Sequence, residues 1–356
     1  MAIHPRTLRN ASLLLVLLCS CKTDQVNIDT SSGGTDICEE GSFDASEIES
    51  NFSTLSLGVD STPTQIVLPE ETNGTLKLDL HPSVFPIMSG PRGTFAAASM
   101  LGDGRVVAFS GQDFIGSQER STLLGEENIA KMVVNAVQWT GKSDTPKVLV
   151  ANQKLVDALA SAGITDIDIT PIVHNEGLWS LQDWSTNTLS GYDAIVVQVN
   201  EWGTLYVNPE EIDAIRDFVQ SGGGLVIAGS ALHYSWWLNY SADGFVGDLI
   251  LDGSGIQWEA NSEKDLSTAI VEFDDKSAPF SLWCSYIEGD SLDDIQYARM
   301  EEFFDSAKNI GEEEGLTLAL ERLISETPLL PVSVDNPRAR LSANVASSLR
   351  PHLWPE

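Results

Sequence analysis

The sequence predicts an α/β protein in which a parallel sheet is preceded by antiparallel strands and followed by a mixed, mainly helical extension. Between residues 65 and 110, short apolar runs are separated by turn signals, which favours antiparallel strands. From about residue 125, apolar strands alternate with amphipathic helices, as in a parallel sheet with helices on its faces. Beyond about residue 255 the strand signals weaken, and helical spacing is found at 294–307 and 316–325.

Turn signals define the antiparallel part. Asn73-Gly74 and Asp103-Gly104 are the clearest of them, and Asp-Gly between two apolar runs favours a tight hairpin. The strands predicted around these turns span 65–68, 76–80, 94–100 and 105–110.

The best-marked unit of the parallel part contains a helix that begins at Pro209. Asn208 is placed to cap this helix, Pro209 suits its first turn, and Gly222 ends it. Continuous apolar strands at 194–199 and 225–228 flank the helix, so we predict a right-handed βαβ unit. The other predicted elements here are helices at 126–139 and 154–162 and a strand at 147–151.

The start of the chain has the form of an export signal. Arg6 and Arg9 supply positive charge ahead of the apolar run 11–18. That run is shorter than the about 20 apolar residues that cross a bilayer core. Residues 1–20 are therefore predicted to be a cleaved signal peptide and not a transmembrane anchor.

A lipobox ends this signal. The stretch 18–21 reads Leu-Cys-Ser-Cys, so Cys21 is predicted to be lipidated and to hold the protein at a membrane. An ordinary signal peptide that happens to contain cysteines is the alternative. Lys22 in place of Asp favours the bacterial outer membrane, with the protein facing the periplasm or the cell surface.

Composition divides the rest of the chain. Residues 21–60 are mostly small, polar and acidic, and they are predicted to form a disordered tether. Residues 61–262 are predicted to form the α/β domain with its N-terminal β strands, and 263–356 the helical extension. The chain has no helix or strand signal at its end, so we expect it to stop before a further domain.

The formal net charge of −32 limits the partners. Nucleic-acid binding needs clustered Lys and Arg side chains, and so large an acidic excess argues against it. Solubility explains the charge better than an acidic recognition surface does.

Two cysteines lie outside the export segment. Cys38 and Cys284 would reach an oxidising compartment, where disulfides persist. A bridge between them would connect the tether to the C-terminal part of the body, but the spacing alone also allows two free thiols.

Three ordered stretches resemble one known family. They are 95–139 (with TFAAASMLGDGRVVAFSGQDF), 192–200 (YDAIVVQVN) and 212–237 (with DFVQSGGGLVIAGSALHYSWW). Their order resembles the class-I-amidotransferase-like module of ImpA-type and enhancin-like metallopeptidases, which also occurs in vertebrate ion-channel-associated factors. The resemblance continues into 282–286 and 337–354, and it implies a flavodoxin-like parallel sheet.

The resemblance also implies a zinc endopeptidase that acts on O-glycosylated, mucin-like glycoproteins. Its zinc would lie on an H-E-x-x-H helix, in which the Glu acts as general base. This sequence contains no such motif, and no metal ligand can be assigned to it. Zinc is therefore expected only in a peptidase domain outside this chain. The histidines are His4, His81, His174, His233 and His352, and no two of them are four residues apart.

Amidotransferases place a nucleophilic Cys on a sharp turn after a strand. The matching turn here, 229–233, reads Gly-Ser-Ala-Leu-His and has no Cys. Ser230 and His233 could form a nucleophile and base, but a small turn residue and a buried His are the favoured interpretation. The module is therefore predicted to be catalytically inactive.

Aromatic side chains suggest a binding role instead. Trp202, His233, Trp236 and Trp237 follow the ends of predicted parallel strands, where α/β sheets usually bind ligands. Flat indole rings suit sugar rings, so these four residues are the candidate glycan site. The alternative is that the rings pack the sheet against its helices.

Two functions remain open, with a third as a minor alternative. The chain is either the non-catalytic N-terminal anchoring portion of an ImpA-type peptidase or a stand-alone lipoprotein that binds glycans or peptides. The third is a hydrolase or amidotransferase that uses Ser230.

Overall fold

The computed structural model describes residues 45–59, 64–68, 74–90, 93–116, 124, 126–150, 153–169, 172–175, 178–181, 184, 186–201, 204–205, 209–231, 245–259, 267–271, 278–288, 292 and 296. Within these residues, eleven strands form one mixed sheet, and four further strands form two small hairpins. Helices cover both faces of the sheet.

The strands are β1 (Thr64–Leu68), β2 (Thr75–Leu78), β3 (Phe85–Gly90), β4 (Gly93–Leu101), β5 (Gly104–Phe109), β6 (Val148–Val150), β7 (Ile167–Ile169), β8 (Ile172–Asn175), β9 (Leu178–Leu181), β10 (Ala194–Gln198), β11 (Asn200–Glu201), β12 (Thr204–Leu205), β13 (Gly224–Ala228), β14 (Ile256–Glu259) and β15 (Ser267–Val271). The helices are α1 (Ala45–Leu55), α2 (Glu127–Thr140), α3 (Gln153–Ser161), α4 (Thr186–Leu189), α5 (Pro209–Gln220), α6 (Val246–Leu251) and α7 (Pro279–Glu288), with a 3₁₀ turn at Gln112–Phe114.

The antiparallel half ends in the hairpin formed by β4 and β5. Leu101 pairs with Gly104, so the turn consists of Gly102 and Asp103, and Gly102 adopts a positive φ of 60°. The predicted hairpin at Asp103-Gly104 is confirmed. The antiparallel strands run in the order β1, β15, β3, β4, β5, and β2 pairs with both β4 and β14.

The parallel half runs β5, β13, β10, β6, β7. Strand β10 pairs in parallel with β13, and α5 connects them, so the predicted βαβ unit is present. Helices α2 and α3 share a core with one face of the sheet, whereas α5 and α6 share a core with the other. The protein is therefore a mixed α/β fold with helices on both sides.

Helix α2 shows how the sequence determines these elements. Ile129, Val133 and Val137 lie on one face of the helix, and none of them is exposed. The carboxylate of Glu126 accepts a hydrogen bond from the backbone N–H of Ile129 at 2.9 Å and so caps the first turn. The helix predicted at 126–139 is confirmed at Glu127–Thr140.

Helix α1 corrects the predicted tether. It lies inside the segment 21–60, yet its side chains Ile48, Phe52 and Leu55 are buried in the core shared with α2. Their spacing of four and three residues gives a helix one apolar stripe. The acidic and small residues between them lower the average hydropathy, and for this reason the composition alone indicates disorder. Residues 1–44, which include the rest of the tether, lie outside the described residues.

Side chains of α2 also form hydrogen bonds to α1 and to the residues that follow it. The amide of Asn135 donates to the carbonyl oxygens of Leu55 at 3.0 Å and Leu57 at 2.9 Å. The indole N–H of Trp139 donates to Asn51 Oδ1 at 3.0 Å. The two bonds from Asn135 satisfy backbone carbonyl groups at the end of α1 and just beyond it, and the bond from Trp139 holds a side chain in the middle of α1.

The predicted extension also contributes to the sheet. Strand β15 pairs with β1 and with β3, so residues beyond 262 belong to the same sheet as the N-terminal strands. Apart from Gln296, the helices predicted at 294–307 and 316–325 lie outside the described residues. The division into a domain at 61–262 and an extension at 263–356 stays a prediction.

No helix in the described part of the chain is long and apolar enough to cross a membrane.

Truncating the buried ring of α1 should destabilise the whole α/β body. We expect Phe52→Ala to lower the free energy of unfolding by about 3–5 kcal/mol, because it leaves a cavity in the shared core. Glu49→Ala changes an exposed side chain of the same helix and should alter stability by less than about 0.5 kcal/mol. Urea unfolding of both variants measures the difference. Equal, small effects would show that α1 belongs to the tether after all.

Candidate functional site

The connections of the parallel strands leave the carboxyl-terminal edge of the sheet toward opposite faces. Strand β5 leads to α2 and β6 leads to α3, both on one face; β10 leads to α5 and β13 leads to α6, both on the other. Where two neighbouring strands lead to helices on opposite faces of the sheet, a crevice forms between the carboxyl ends of the strands. Open α/β sheets usually bind their ligands in such a crevice. Among the described strands, two places have this arrangement, one between β5 and β13 and one between β10 and β6.

The first crevice, between β5 and β13, is closed by β2 and β14. The indole N–H of Trp258 donates to the carbonyl oxygen of Phe109, the last residue of β5, at 3.2 Å. Gly74 packs so closely that a Cβ there would lie 3.2 Å from the Ser110 carbonyl oxygen and 3.8 Å from Ser230 Oγ. Access to Ser230 would therefore require β2 and β14 to move.

Side chains of the closing strands reinforce this arrangement. Thr75 Oγ1 donates to the carboxylate of Glu259, and so joins β2 to β14 beyond their backbone pairing. The rings of Phe245 and Trp258 meet edge to face, with centroids 5.3 Å apart. Ser230 is 5% exposed, as expected for a small turn residue and unlike an accessible nucleophile.

The second crevice, between β10 and β6, contains Gln198. Val196 pairs with Val150, the last residue of β6, so Gln198 extends past the end of that strand. On its other side Gln198 still pairs with Ala228. The side chain is 2% exposed, and its Nε2 has no hydrogen-bond partner within the described residues.

Further polar groups lie in the segment that follows β5. Ser110 is fully buried and Gln112 is 5% exposed, and neither Ser110 Oγ nor Gln112 Oε1 has a partner among the described residues. Burying an unpaired polar atom costs about 1–3 kcal/mol, so such groups are rare in cores. Ser110 and Gln112 follow β5 and Gln198 ends β10, so the three groups lie at the same edge of the sheet, although the buried indole N–H of Trp184 also has no partner among the described residues.

Three pKa shifts among the described residues lie at the amino-terminal edge of the sheet or on its exposed surface. Burial lowers the pKa of Arg105 at the amino-terminal end of β5. Burial and a hydrogen bond of 2.8 Å to Asp168 raise the pKa of Tyr192 to about 12, and this residue also lies at the amino-terminal edge. The pKa of Glu127 is lowered by a hydrogen bond from Lys131 on the exposed surface of α2.

The four residues of the predicted glycan site are not among the described residues. They are Trp202, His233, Trp236 and Trp237. The strands that precede them, β10 and β13, are parallel neighbours, so the segments that contain these residues leave from adjacent positions on one edge. Their role in glycan binding stays a prediction.

The predicted cysteine sites are also only partly described. Cys284 lies in α7, is 8% exposed and is disulfide-bonded. Cys38 and Cys21 lie outside the described residues, so the pairing with Cys38 and the lipidation of Cys21 stay predictions.

Sequence reasoning overlooked Gln198 and Trp258. Gln198 could have been found, because it is the only polar side chain in the apolar run 194–199. Trp258 could not, because its bond to Phe109 joins residues 149 positions apart and depends on how β14 folds back.

Fold and site together define a doubly wound α/β module with one closed and one polar crevice. This fold is similar to that in the solved structure of IMPa from Pseudomonas aeruginosa in complex with an O-glycopeptide. The two share 14% identity with a TM-score of 0.50, over 85% of this chain and 38% of that chain. The resemblance to ImpA-type metallopeptidases is therefore confirmed at the level of the fold.

Two further solved structures have the same coverage. They are the IMPa metallopeptidase in complex with T-antigen, with 12% identity, and the IMPa metallopeptidase from Pseudomonas aeruginosa, with 13% identity; both have a TM-score of 0.48. The chain thus spans 38% of the length of the structures that it matches. No protein-family profile matches the sequence, and no curated protein does.

A serine-directed fluorophosphonate probe should leave Ser230 unmodified in the folded protein, because β2 and β14 cover its hydroxyl. Intact-mass spectrometry measures the labelling, and Ser230→Ala serves as the control. Stoichiometric labelling that disappears in Ser230→Ala would support the hydrolase alternative.

Proposed function

We propose that this chain is a non-catalytic accessory portion of an ImpA-type system that acts on O-glycosylated glycoproteins. In this role the α/β body positions a catalytic zinc domain, and lipidated Cys21 anchors the assembly at the bacterial outer membrane. The single observation that supports the proposal is the shared fold over 85% of this chain with a region that makes up 38% of the IMPa chain.

Neither the sequence motifs nor the described side chains supply ligands for a catalytic zinc ion. The full sequence contains no H-E-x-x-H motif. Within the described residues, no group of three or more His, Cys, Asp or Glu side chains is placed to hold a metal. We therefore assign no peptidase step to this chain.

The closed first crevice supports a non-catalytic role for the amidotransferase-like module as well. The position that would hold a nucleophile is Ser230, which lies beneath Gly74 and the β2–β14 pair. A substrate carbonyl would have to approach within about 3–3.5 Å of this hydroxyl to react.

A stand-alone binding lipoprotein is the second candidate. The observation that favours it is the second crevice, where the amide of Gln198 is buried without a partner in the described residues. The first candidate acts with a catalytic domain that it anchors and positions, and the second binds glycans or peptides on its own. In both cases we expect the module to contact O-glycosylated material without cutting it.

The proposal predicts binding to mucin without cleavage. The purified mature protein, residues 21–356, should be retained on an O-glycosylated mucin column and should release no fragments from mucin, with or without added zinc. The same mucin after enzymatic removal of its O-glycans is the matched control, and retention should fall at least about fivefold on it.

Electrophoresis of the mucin and quantification of the retained protein give the two readouts. Chelator-sensitive cleavage by this chain would contradict the non-catalytic role. Equal retention on intact and deglycosylated mucin would contradict the association with O-glycans.

A further inference from the structure

Four residues of the antiparallel half form a polar cluster, which consists of His81, Ser83, Ser99 and Ser254. Ser83 Oγ lies 2.9 Å from His81 Nδ1 and 3.1 Å from Ser99 Oγ. Ser99 Oγ donates to the carbonyl oxygen of Ser254. His81 and Ser83 follow β2, Ser99 lies in β4, and Ser254 precedes β14. The polar cluster therefore joins both strands of the β2–β14 pair to β4.

The polar cluster lies at the end of the β2–β14 pair that is far from the first crevice. Leu78 pairs with Ile256 at this end, whereas Thr75 pairs with Glu259 at the end beside the crevice. The described backbone pairing of β2 with β4 is limited to Leu76. The hydrogen bonds of the polar cluster therefore hold the far end of the strands that close the crevice.

The hydrogen bonds of the polar cluster require an uncharged His81. The backbone N–H of Ser83 donates to His81 Nδ1 at 3.3 Å, so Nδ1 is an acceptor and the ring proton lies on Nε2. Ser83 Oγ accepts the N–H of Met100 at 3.0 Å, and Ser99 donates its own proton to Ser254. The hydroxyl proton of Ser83 is then available for His81 Nδ1. A second ring proton, on Nδ1, would leave the N–H of Ser83 without this acceptor.

Close packing holds His81 against the turn before β14. A Cβ added to Gly255, whose φ is 77°, would lie 2.6 Å from His81 Cβ and 3.6 Å from Val84 Cβ. Ser99 and Ser254 are fully buried. Burial lowers the pKa of His81, because a charged imidazole loses hydration in this position. A positive charge on His81 is therefore more stable when the β2–β14 pair has moved away from β4.

The charged groups on the surrounding elements already have partners. Strands β3 and β4 contain no charged residue. Asp79 pairs with Lys77 at 3.5 Å, and Asp252 pairs with a guanidinium group of α5 at 3.2 Å. Glu259 lies at the far end of β14, where Thr75 donates to it. A charge on His81 would therefore have no unpaired carboxylate on these elements to offset its burial.

We propose that protonation of His81 releases the β2–β14 pair from β4 and so opens the first crevice. Near neutral pH the imidazole is uncharged, the polar cluster is intact, and the two strands cover Ser230. In acid the charged imidazole moves out of the polar cluster, and the turns that follow β2 and precede β14 separate from β4. The pair is thus a cover that responds to pH.

The direction of the effect follows from the lowered pKa of His81. An exposed histidine has a pKa of about 6.5, so the open form binds a proton at a higher pH than the closed form does. The closed form is therefore most stable above about pH 6.5, and it loses stability as the pH falls toward the pKa of His81 in that form. For each unit by which this pKa lies below the ordinary value, the equilibrium constant for opening rises about tenfold in acid.

Two measurements on the mature protein test the proposal. NMR titration of the imidazole Cε1–H signals gives the midpoint of His81, which we expect below the ordinary histidine value. Hydrogen–deuterium exchange, corrected for the intrinsic effect of pH, then compares protection at neutral pH and about one unit below that midpoint. Protection should fall by the factor given above in peptides covering 75–78 and 256–259. It should stay unchanged in peptides covering 148–150 and 194–198.

His81→Asn separates the proton from the packing. Its carbonyl oxygen can accept the N–H of Ser83 but takes up no proton in this range, so the loss of protection in acid should disappear. The same variant assigns the NMR signal of His81. His174→Asn is the matched control, because β8 lies in a separate two-stranded sheet, and it should keep the wild-type response. Ser83→Ala removes the central hydroxyl and should lower the protection of 75–78 and 256–259 already at neutral pH.

Unchanged protection of the β2–β14 pair in acid would overturn the proposal, and so would a response that persists in His81→Asn. If His81→Asn fails to fold, wild type and Ser83→Ala still decide. A midpoint at or above the ordinary histidine value, or wild-type protection in Ser83→Ala, contradicts the role of the polar cluster. None of these results depends on retention by mucin, so the proposed function is tested separately.

Discussion

Strand β5 pairs on its two edges in opposite directions, and the rest of the structure depends on this double pairing. It is antiparallel to β4 and parallel to β13, so it joins the N-terminal strands to the doubly wound half within one sheet. The junction is tightly packed, because a Cβ at Gly104 would lie only 2.0 Å from the carbonyl oxygen of Val219 at the end of α5. Only glycine lets the first residue of β5 pass so close to the helix that precedes β13. The position of β5 beside β13 in turn creates the first crevice, and β2 closes it by pairing with β4 on the other side of the junction.

The same topology explains why one crevice is closed and the other keeps a polar group. Strand β2 pairs with β4, which is next to β5, and so its partner β14 lies over the ends of β5 and β13. The crevice between β10 and β6 is two strands further from the antiparallel half, outside the reach of β2 and β14. A nucleophile position is thus covered by the protein's own strands, whereas the described pairing of β10 with β6 ends two residues before Gln198, at Val196.

Local sequence signals predicted those elements that are determined locally. Helix α5 begins at Pro209 and is followed by Gly222 with a φ of 105°, so both of its ends could be predicted from single residues. The hairpin at Gly102 and Asp103 has the same kind of local cause. Helix α1 has a clear apolar stripe as well. The polar and acidic residues around Ile48 and Phe52 lower the mean hydropathy of the segment, however, so composition alone predicts disorder there.

Pairings between distant parts of the chain could not be predicted in this way. Nothing near Trp258 indicates that β14 pairs with β2, or that its indole reaches Phe109, because both contacts depend on the complete sheet. The candidate site likewise has features that the sequence predicts and features that it does not. That β10 and β13 are neighbours followed from the βαβ pattern, and Gln198 could have been recognised as the one polar residue in its run. The register between β10 and β6 could not be recognised, because it depends on the pairing of distant strands.

Hydrogen–deuterium exchange with a bound O-glycosylated peptide tests the central claim most directly, namely that ligand enters beside β10 while the crevice at β5 stays closed. We predict that saturating glycopeptide slows exchange in peptides covering 148–155 and 194–201. Peptides covering 104–110 and 256–259 should exchange at the same rate with and without the ligand. Slower exchange at 104–110 and 256–259 with no change at 194–201 would place the ligand in the first crevice and contradict this account.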